Sequence, residues 1–223
     1  MCQRHTLFLS RPSLQDPTGC LNHLVPVLLV LCLGLSLAGC NESPRLAPIS
    51  VQGTILAFGD SLTYGTGVKA TQSYPAVLEQ LSGRKVVRSG VPGETTAEGL
   101  RRLPAVLETV VPDLVILELG GNDILRRQSL QKAKDNLAQM VKLIRGQGIE
   151  VMLVGVPEFG LIPDTAEIFQ ELGEELLLAT ENDVVAELMT DAAMKSDTVH
   201  FNAQGYRKMA EAIFRRLQEL GAI

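Results

Sequence analysis

From residue 54 onward the chain alternates short, continuous apolar runs with longer stretches whose apolar residues recur every three or four positions. Thr54–Phe58 (TILAF), Lys85–Ser89 (KVVRS), Leu114–Leu119 (LVILEL) and Val151–Val156 (VMLVGV) are rich in β-branched residues and are each followed by Gly or Pro, which predicts buried strands. Tyr74–Leu81, Thr96–Val110 and Leu130–Arg145 carry the helical period, and Ala203–Leu217 closes the chain as an amphipathic helix. The pattern assigns no element to Asp164–Ala193. Alternation of this kind predicts an α/β domain over residues 51–223, with a parallel sheet and helices on both faces.

In such sheets ligands bind outside the carboxyl ends of the strands. Three of those ends run into polar, glycine-containing sequence: Gly59-Asp60-Ser61-Leu62, Gly90-Val91-Pro92-Gly93-Glu94-Thr95 and Gly120-Gly121-Asn122-Asp123. The three loops are expected to converge on one edge. The chain contains no internal repeat, low-complexity tract or second-domain linker.

The amino terminus follows a different pattern. Leu24–Leu37 (LVPVLLVLCLGLSL) is uncharged and shorter than the roughly 20 apolar residues that a membrane span needs, which matches the core of a secretory signal peptide. Leu37-Ala38-Gly39-Cys40 follows, small residues ahead of a cysteine, and resembles the lipobox of bacterial lipoproteins. That resemblance implies a signal peptide over 1–39, lipidation of Cys40 and a polar tether over 40–50. The expectation is export and attachment, facing the periplasm, to a bacterial membrane, with the outer membrane favoured because no Asp follows the cysteine.

Charge and cysteine placement narrow the chemistry. The net charge is −5 and no basic stretch exceeds a pair such as Arg101-Arg102, so nucleic acid is not an expected partner. Cys2, Cys20, Cys32 and Cys40 all precede the domain, which therefore has neither an internal disulfide nor a thiolate zinc site. His200 is the only histidine after Cys40, so a multi-histidine metal centre is excluded as well. No cofactor or metal is expected, and no required protein partner is evident.

Histidine is the side chain best suited to exchange protons near neutral pH. Asp197 lies three residues before His200, within reach of one ring nitrogen across a tight turn. Ser61 follows the first strand and needs a base to become nucleophilic, and His200 is the only imidazole available. Asp197 would then hold the imidazole tautomer. The N–H groups of Ser61 and Gly93 and the amide of Asn122 could supply an oxyanion hole. Other readings stand beside these: Asn122 as a turn residue, Asp197 as a helix cap or a partner of Lys195, Asp60 as structural support for the turn. Gly65-Thr66-Gly67-Val68-Lys69-Ala70 fits the dinucleotide pattern on letters, but it starts several residues past the strand and runs into Pro75. Neither a phosphate-binding Gly-Lys-Ser/Thr nor a Gly-x-Ser-x-Gly elbow occurs.

Gly59-Asp60-Ser61-Leu62, Gly93, Gly120-Gly121-Asn122-Asp123 and Asp197-x-x-His200 resemble, in order, the sequence blocks of the SGNH (GDSL) hydrolases over roughly residues 52–218. Within that family the chain looks most like the arylesterase, acyl-CoA thioesterase and lysophospholipase branch. The resemblance implies a three-layer, flavodoxin-like α/β/α fold with about five parallel strands. It also implies catalytic Ser61, Asp197 and His200, an oxyanion hole of Ser61, Gly93 and Asn122, and hydrolysis of carboxylic esters or thioesters through an acyl-serine intermediate, with aryl or short- to medium-chain acyl substrates and lysophospholipid as a further candidate. The chain departs from the branch at Pro157-Glu158-Phe159-Gly160-Leu161-Ile162. The apolar loop residues Ile124, Leu125, Phe159, Leu161 and Ile162 are expected to line the acyl pocket. Two alternatives are an O-acetyl esterase acting on cell-wall or other carbohydrates and a catalytically silent binding lipoprotein.

Overall fold

The apolar runs become strands because both faces of the sheet are covered, so almost every side chain along them must be buried. The computed structural model describes residues 44–158, 160 and 163–223. In chain order its elements are β1 (Thr54–Gly59), the one-turn α1 (Ser61–Tyr64), α2 (Tyr74–Ser82), β2 (Lys85–Gly90), α3 (Thr96–Val110), β3 (Leu114–Glu118), α4 (Gly121–Leu125) and α5 (Leu130–Arg145). They continue with β4 (Glu150–Val154), the two-residue β5 (Pro157–Glu158) and β6 (Asp164–Thr165), α6 (Glu167–Leu176), β7 (Ala179–Glu181), α7 (Val184–Thr190) and α8 (Ala203–Glu219). The main sheet is parallel with strand order β2-β1-β3-β4-β7, and β5 and β6 form a small antiparallel ribbon beyond it. This is the expected α/β sandwich with five parallel strands.

Period-two alternation sorts the strand residues into two cores. Ile55, Ala57, Leu114, Ile116, Met152 and Val154 pack with α2, α7 and α8 through Tyr74, Leu78, Val185, Tyr206, Met209 and Ile213. Leu56, Phe58, Val115, Leu117, Val151 and Leu153 pack on the opposite face with α3, α5 and α6 through Leu103, Leu107, Leu137, Met140, Ile144 and Phe169. The helices start where capping residues permit. Thr95 accepts from the Glu98 N–H and Glu98 returns a bond to the Thr95 N–H, Ser129 caps α5, and Asn202 caps α8 by accepting from Gln204 and Gly205.

Two expectations change. Residues 44–50, the described part of the expected tether, pack on the domain and share its compact unit, whereas the expected signal peptide, Cys40 and residues 41–43 lie outside the described residues. Leu46 and Ile49 are buried, their N–H groups donate to the carbonyls of Leu220 and Ala222, and Arg84 binds the Ile49 carbonyl through Nε and Nη2. Leu46 and Ile49, three residues apart in an extended segment, turn into the core beside α8. The segment Asp164–Ala193, given no element from sequence, holds β6, α6, β7 and α7. Its fifth main-sheet strand has only three residues, Ala-Thr-Glu, which carry no apolar run because β7 lies at the sheet edge.

Candidate active site

The chain turns from β1 toward β2 on one side and toward β3 on the other, leaving a crevice at their carboxyl ends. The three glycine-containing loops meet there. Gly59 ends β1 where a Cβ would collide with the Glu118 carbonyl and Thr63 Oγ1, so β1 and β3 close tightly beneath the turn. Asp60 then caps α1 by accepting from the Leu62 N–H at 3.1 Å, which puts Ser61 at the first helical position. Gly93 has φ of 80°, a left-handed conformation that a side chain would strain. Its carbonyl accepts a charge-assisted bond from Arg126 Nη2 at 2.7 Å.

Asn122 binds all three loops together. Its Nδ2 donates to Asp60 Oδ2 and to the Glu94 carbonyl, each at 3.0 Å. Behind it, Glu94 pairs with Arg102 at 2.6 Å, and Arg102 also reaches Ser89 and stacks over the Phe58 ring. Asp123 is buried and accepts from the N–H and hydroxyl of Thr96. The loop that joins α7 to α8 enters from the other side. Asp197 Oδ1 accepts from the N–H groups of Val199 and His200 at 2.9 Å, and the carboxylate holds His200 Nδ1 at 2.8 Å from Oδ2. The Nδ1 bond leaves Nε2 as the free ring nitrogen. Burial pushes the Asp197 carboxyl up, but the two N–H donors and the imidazole outweigh it and hold the group below the usual carboxylate range.

Ser61, Gly93, Asn122 and His200 line one cleft of about 260 Å³, together with Leu62, Leu125, Val156, Pro157, Val185, Met189 and Val199. Asp197 stands behind His200. Leu125 is at the cleft, as expected, but Ile124 is not: one step round α4 its side chain turns away and packs against the α3–α5 core. Phe159, Leu161 and Ile162 lie outside the described residues. Val185 and Met189, on one face of α7, take the wall position that the loop hydrophobes were expected to fill. Their four-residue spacing was the available signal. Among the described residues, no group of three or more His, Cys, Asp or Glu could hold a metal ion.

Two carboxyl groups sit beneath the nucleophile turn. Asp60 is buried, and that burial raises its pKa to about 6 against the pull of the Leu62 N–H, His200 and Asn122. Glu118 is fully buried; Oε2 accepts from Thr63 Oγ1 at 2.8 Å and Oε1 has no partner among the described residues. Burial first, and the Asp60 charge second, push it well above the usual glutamate range, which favours its neutral form. A lone Glu within the apolar run LVILEL was its mark in the sequence. Thr63 Oγ1 also meets Tyr74 Oη at 3.1 Å, so Glu118 anchors the turn to α2. A native acid kept neutral stabilises the fold fully only below its unfolded pKa, and that stability is lost as pH rises toward the folded value. Glu118→Gln should therefore exceed the wild type in melting temperature by a margin that widens from pH 4.5 to 7.5; parallel curves would show that Glu118 is ionised.

Residues 57–208 match the GDSL-like lipase/acylhydrolase family. The chain belongs to that family. It is 29% identical over 199 residues to the esterase TesA of Pseudomonas aeruginosa, covering 83% of this chain and 98% of that protein. It is 30% identical over 175 residues to thioesterase 1/protease 1/lysophospholipase L1 of Escherichia coli K12, covering 75% of this chain and 84% of that protein. A crystal structure of TesA superposes with a TM-score of 0.69 at 27% identity, covering 75% of this chain and 99% of the other. The serine turn, the Gly93 loop and the Asn122 loop all fall within the family match, as do Asp197 and His200.

Proposed function

We propose that this acylhydrolase-family member is a serine esterase that cleaves carboxylic ester or thioester bonds, with aryl or short- to medium-chain acyl substrates, through an acyl-Ser61 intermediate. The observation that carries this reading is the opening of Ser61 and the Asp197-backed His200 onto one apolar cleft. Ser61 Oγ attacks the carbonyl carbon as His200 Nε2 takes its proton. The tetrahedral oxyanion faces the N–H groups of Ser61 and Gly93 and the Asn122 amide. His200 returns the proton to the leaving alcohol or thiol as the C–O or C–S bond breaks. A water molecule then gives a proton to His200 as its oxygen bonds the acyl carbon; the acyl carbon–Oγ bond breaks, His200 passes that proton to Ser61 Oγ, and the acid is released.

Asn122 enters this scheme already oriented, with its amide hydrogens directed at Asp60 and the Glu94 carbonyl. It serves the oxyanion by sharing one of those hydrogens as negative charge develops. The acyl group lies against Val156, Pro157, Val185 and Met189, walls that favour hydrocarbon over a saccharide and so favour this reading over an O-acetyl carbohydrate esterase. The relatives named esterase and thioesterase/lysophospholipase support the same bond class. An intact set of Ser61, Gly93, Asn122, Asp197 and His200 argues against a silent binding lipoprotein.

The test is turnover of p-nitrophenyl acetate, butyrate and octanoate by the wild type and Met189→Trp. The wild type should hydrolyse all three. Each methylene that loses its contact is worth ~1–3 kcal/mol, so filling the wall with Trp should lower the octanoate-to-acetate ratio of kcat/KM at least about tenfold. No turnover by the wild type would end the esterase reading; an unchanged ratio would move the acyl pocket elsewhere.

The same reading includes the anchor. The uncharged run Leu24–Leu37 and the small residues before Cys40 support export, lipidation at Cys40 and a periplasm-facing attachment, with the outer membrane as its site.

A further inference from the structure

Seven large hydrophobic residues are exposed among the described residues, and three stand apart: Val51 at 68%, Val111 at 74% and Leu177 at 73%. All three occupy the same edge of the sheet. Val51 lies in the turn that leads into β1, Val111 between α3 and β3, and Leu177 between α6 and β7. Each therefore sits at the amino-terminal end of a strand, opposite the carboxyl ends where the cleft opens.

Val111 and Leu177 are conformationally costly where they stand. Each ends a helix in the left-handed region, at φ of 47°, a position that glycine or asparagine usually fills. A β-branched residue is especially unfavourable there. Exposed Val and Leu at such sites, together on one end of the sheet, would gain from contact with an apolar environment.

The described chain begins at this edge too. Leu46 bonds to Leu220 at the far end of α8, and Ala47 N–H donates to Glu150 at the start of β4. Ala47, Pro48, Ile49, Val111 and Pro112 border one groove there. Arg45 and Lys85 are exposed on the same side, and Arg145 reaches the carbonyls of Leu176 and Leu177. Chain geometry limits the distance from Cys40 to Pro44 to about 14 Å, at ~3.3–3.6 Å per residue. The cleft lies a full strand away, roughly 20 Å along β1 at ~3.3 Å per residue.

We propose that this amino-terminal edge, through Val51, Val111 and Leu177, rests on the bilayer to which the chain is anchored, so that the catalytic cleft opens away from that bilayer. The proposal rests on the Cys40 anchor in the functional reading above. It makes esters borne by water, rather than lipids of the chain's own membrane, the substrates of the anchored enzyme. Val91, exposed beside Pro92 at the cleft edge, should stay in water.

The chain has no tryptophan, so single introduced tryptophans report without background. The full-length lipoprotein carrying Val111→Trp, Leu177→Trp or Val91→Trp is reconstituted in phosphatidylcholine vesicles with bromine on the acyl chains. Emission from positions 111 and 177 should be quenched at least twofold relative to unbrominated vesicles, and position 91 should be unaffected. Val111→Gly and Leu177→Gly should each raise the melting temperature by roughly 2–4 °C, as relief of backbone strain in a domain of this size would. Equal quenching at all three positions, or none at 111 and 177, would overturn the orientation. So would a stable dimer in detergent that buries position 111, since a second copy would then cover the patch. Mass spectrometry of Cys40 separates the failures: an acylated cysteine with no quenching refutes the docking alone, whereas an unmodified cysteine removes the anchor and the docking with it. Hydrolysis of p-nitrophenyl butyrate by the same preparation reports on the esterase reading independently.

Discussion

Ser61→Ala should lower kcat/KM for p-nitrophenyl butyrate by about 10⁴–10⁶-fold and abolish covalent labelling by a fluorophosphonate probe. The fold should not change. Capping of α1 comes from Asp60, whose carboxylate accepts from Leu62, and the turn is anchored below by Thr63 and Glu118. None of these bonds uses the Ser61 hydroxyl, so the melting temperature should stay within the small range of a neutral substitution. Asn122, Asp60 and Glu94 would remain joined, and the residual rate would measure what the oxyanion donors achieve alone. Retained labelling would remove Ser61 as the nucleophile.

His200→Ala should cost nearly as much, since members of such a set fail together rather than additively. No other histidine follows Cys40, so nothing in the domain can replace it. Asp197→Asn should cost less than His200→Ala, about 10–10³-fold. The Asp197 side chain is 52% exposed, so water and salt screen its charge against the imidazole. The substitution still harms the rate. Asn Oδ1 can keep the Val199 and His200 N–H bonds, but its amide then faces Nδ1 and shifts the ring proton to Nε2, the wrong tautomer for a base. A pH–rate series on the three proteins checks the order. Equal loss in both variants would mean that Asp197 acts through more than the imidazole, and no loss in Asp197→Asn would reduce it to a loop brace.

The main elements were legible because their patterns have one structural solution. Four strands and four long helices occur within a few residues of the stretches that periodicity marks. The edge strand β7 was not legible, because three polar-leaning residues carry no run, and its neighbours α6 and α7 went unassigned with it. Ile124 shows the limit at the site: adjacent residues on a helix point about 100° apart, and only packing decides that Leu125 faces the cleft while Ile124 faces the core. Residues 44–50 show it again. The polar run Asn41-Glu42-Ser43-Pro44 suggested a tether reaching to residue 50, but the backbone bonds of Leu46 and Ile49 to the Leu220 and Ala222 carbonyls make 44–50 part of the domain.

By itself, the sequence determined the class of the domain and the chemical identity of its reactive groups. Strand–helix alternation leaves little but a parallel sheet, and a solitary histidine with Asp three residues away leaves one candidate base. What only the tertiary structure decided is which groups share an environment. Asp60, Glu94 and Asn122 lie far apart in the chain, and the hydrogen bonds that Asn122 donates to the other two exist because three strands end at one crevice. Burial there, which no local pattern encodes, raises the pKa of both Asp60 and Glu118. The same closure sends the cleft to one edge of the sheet and Val51, Val111 and Leu177 to the other. Periodicity can name the faces of an element, but the opposition of two edges is a property of the assembled sheet alone.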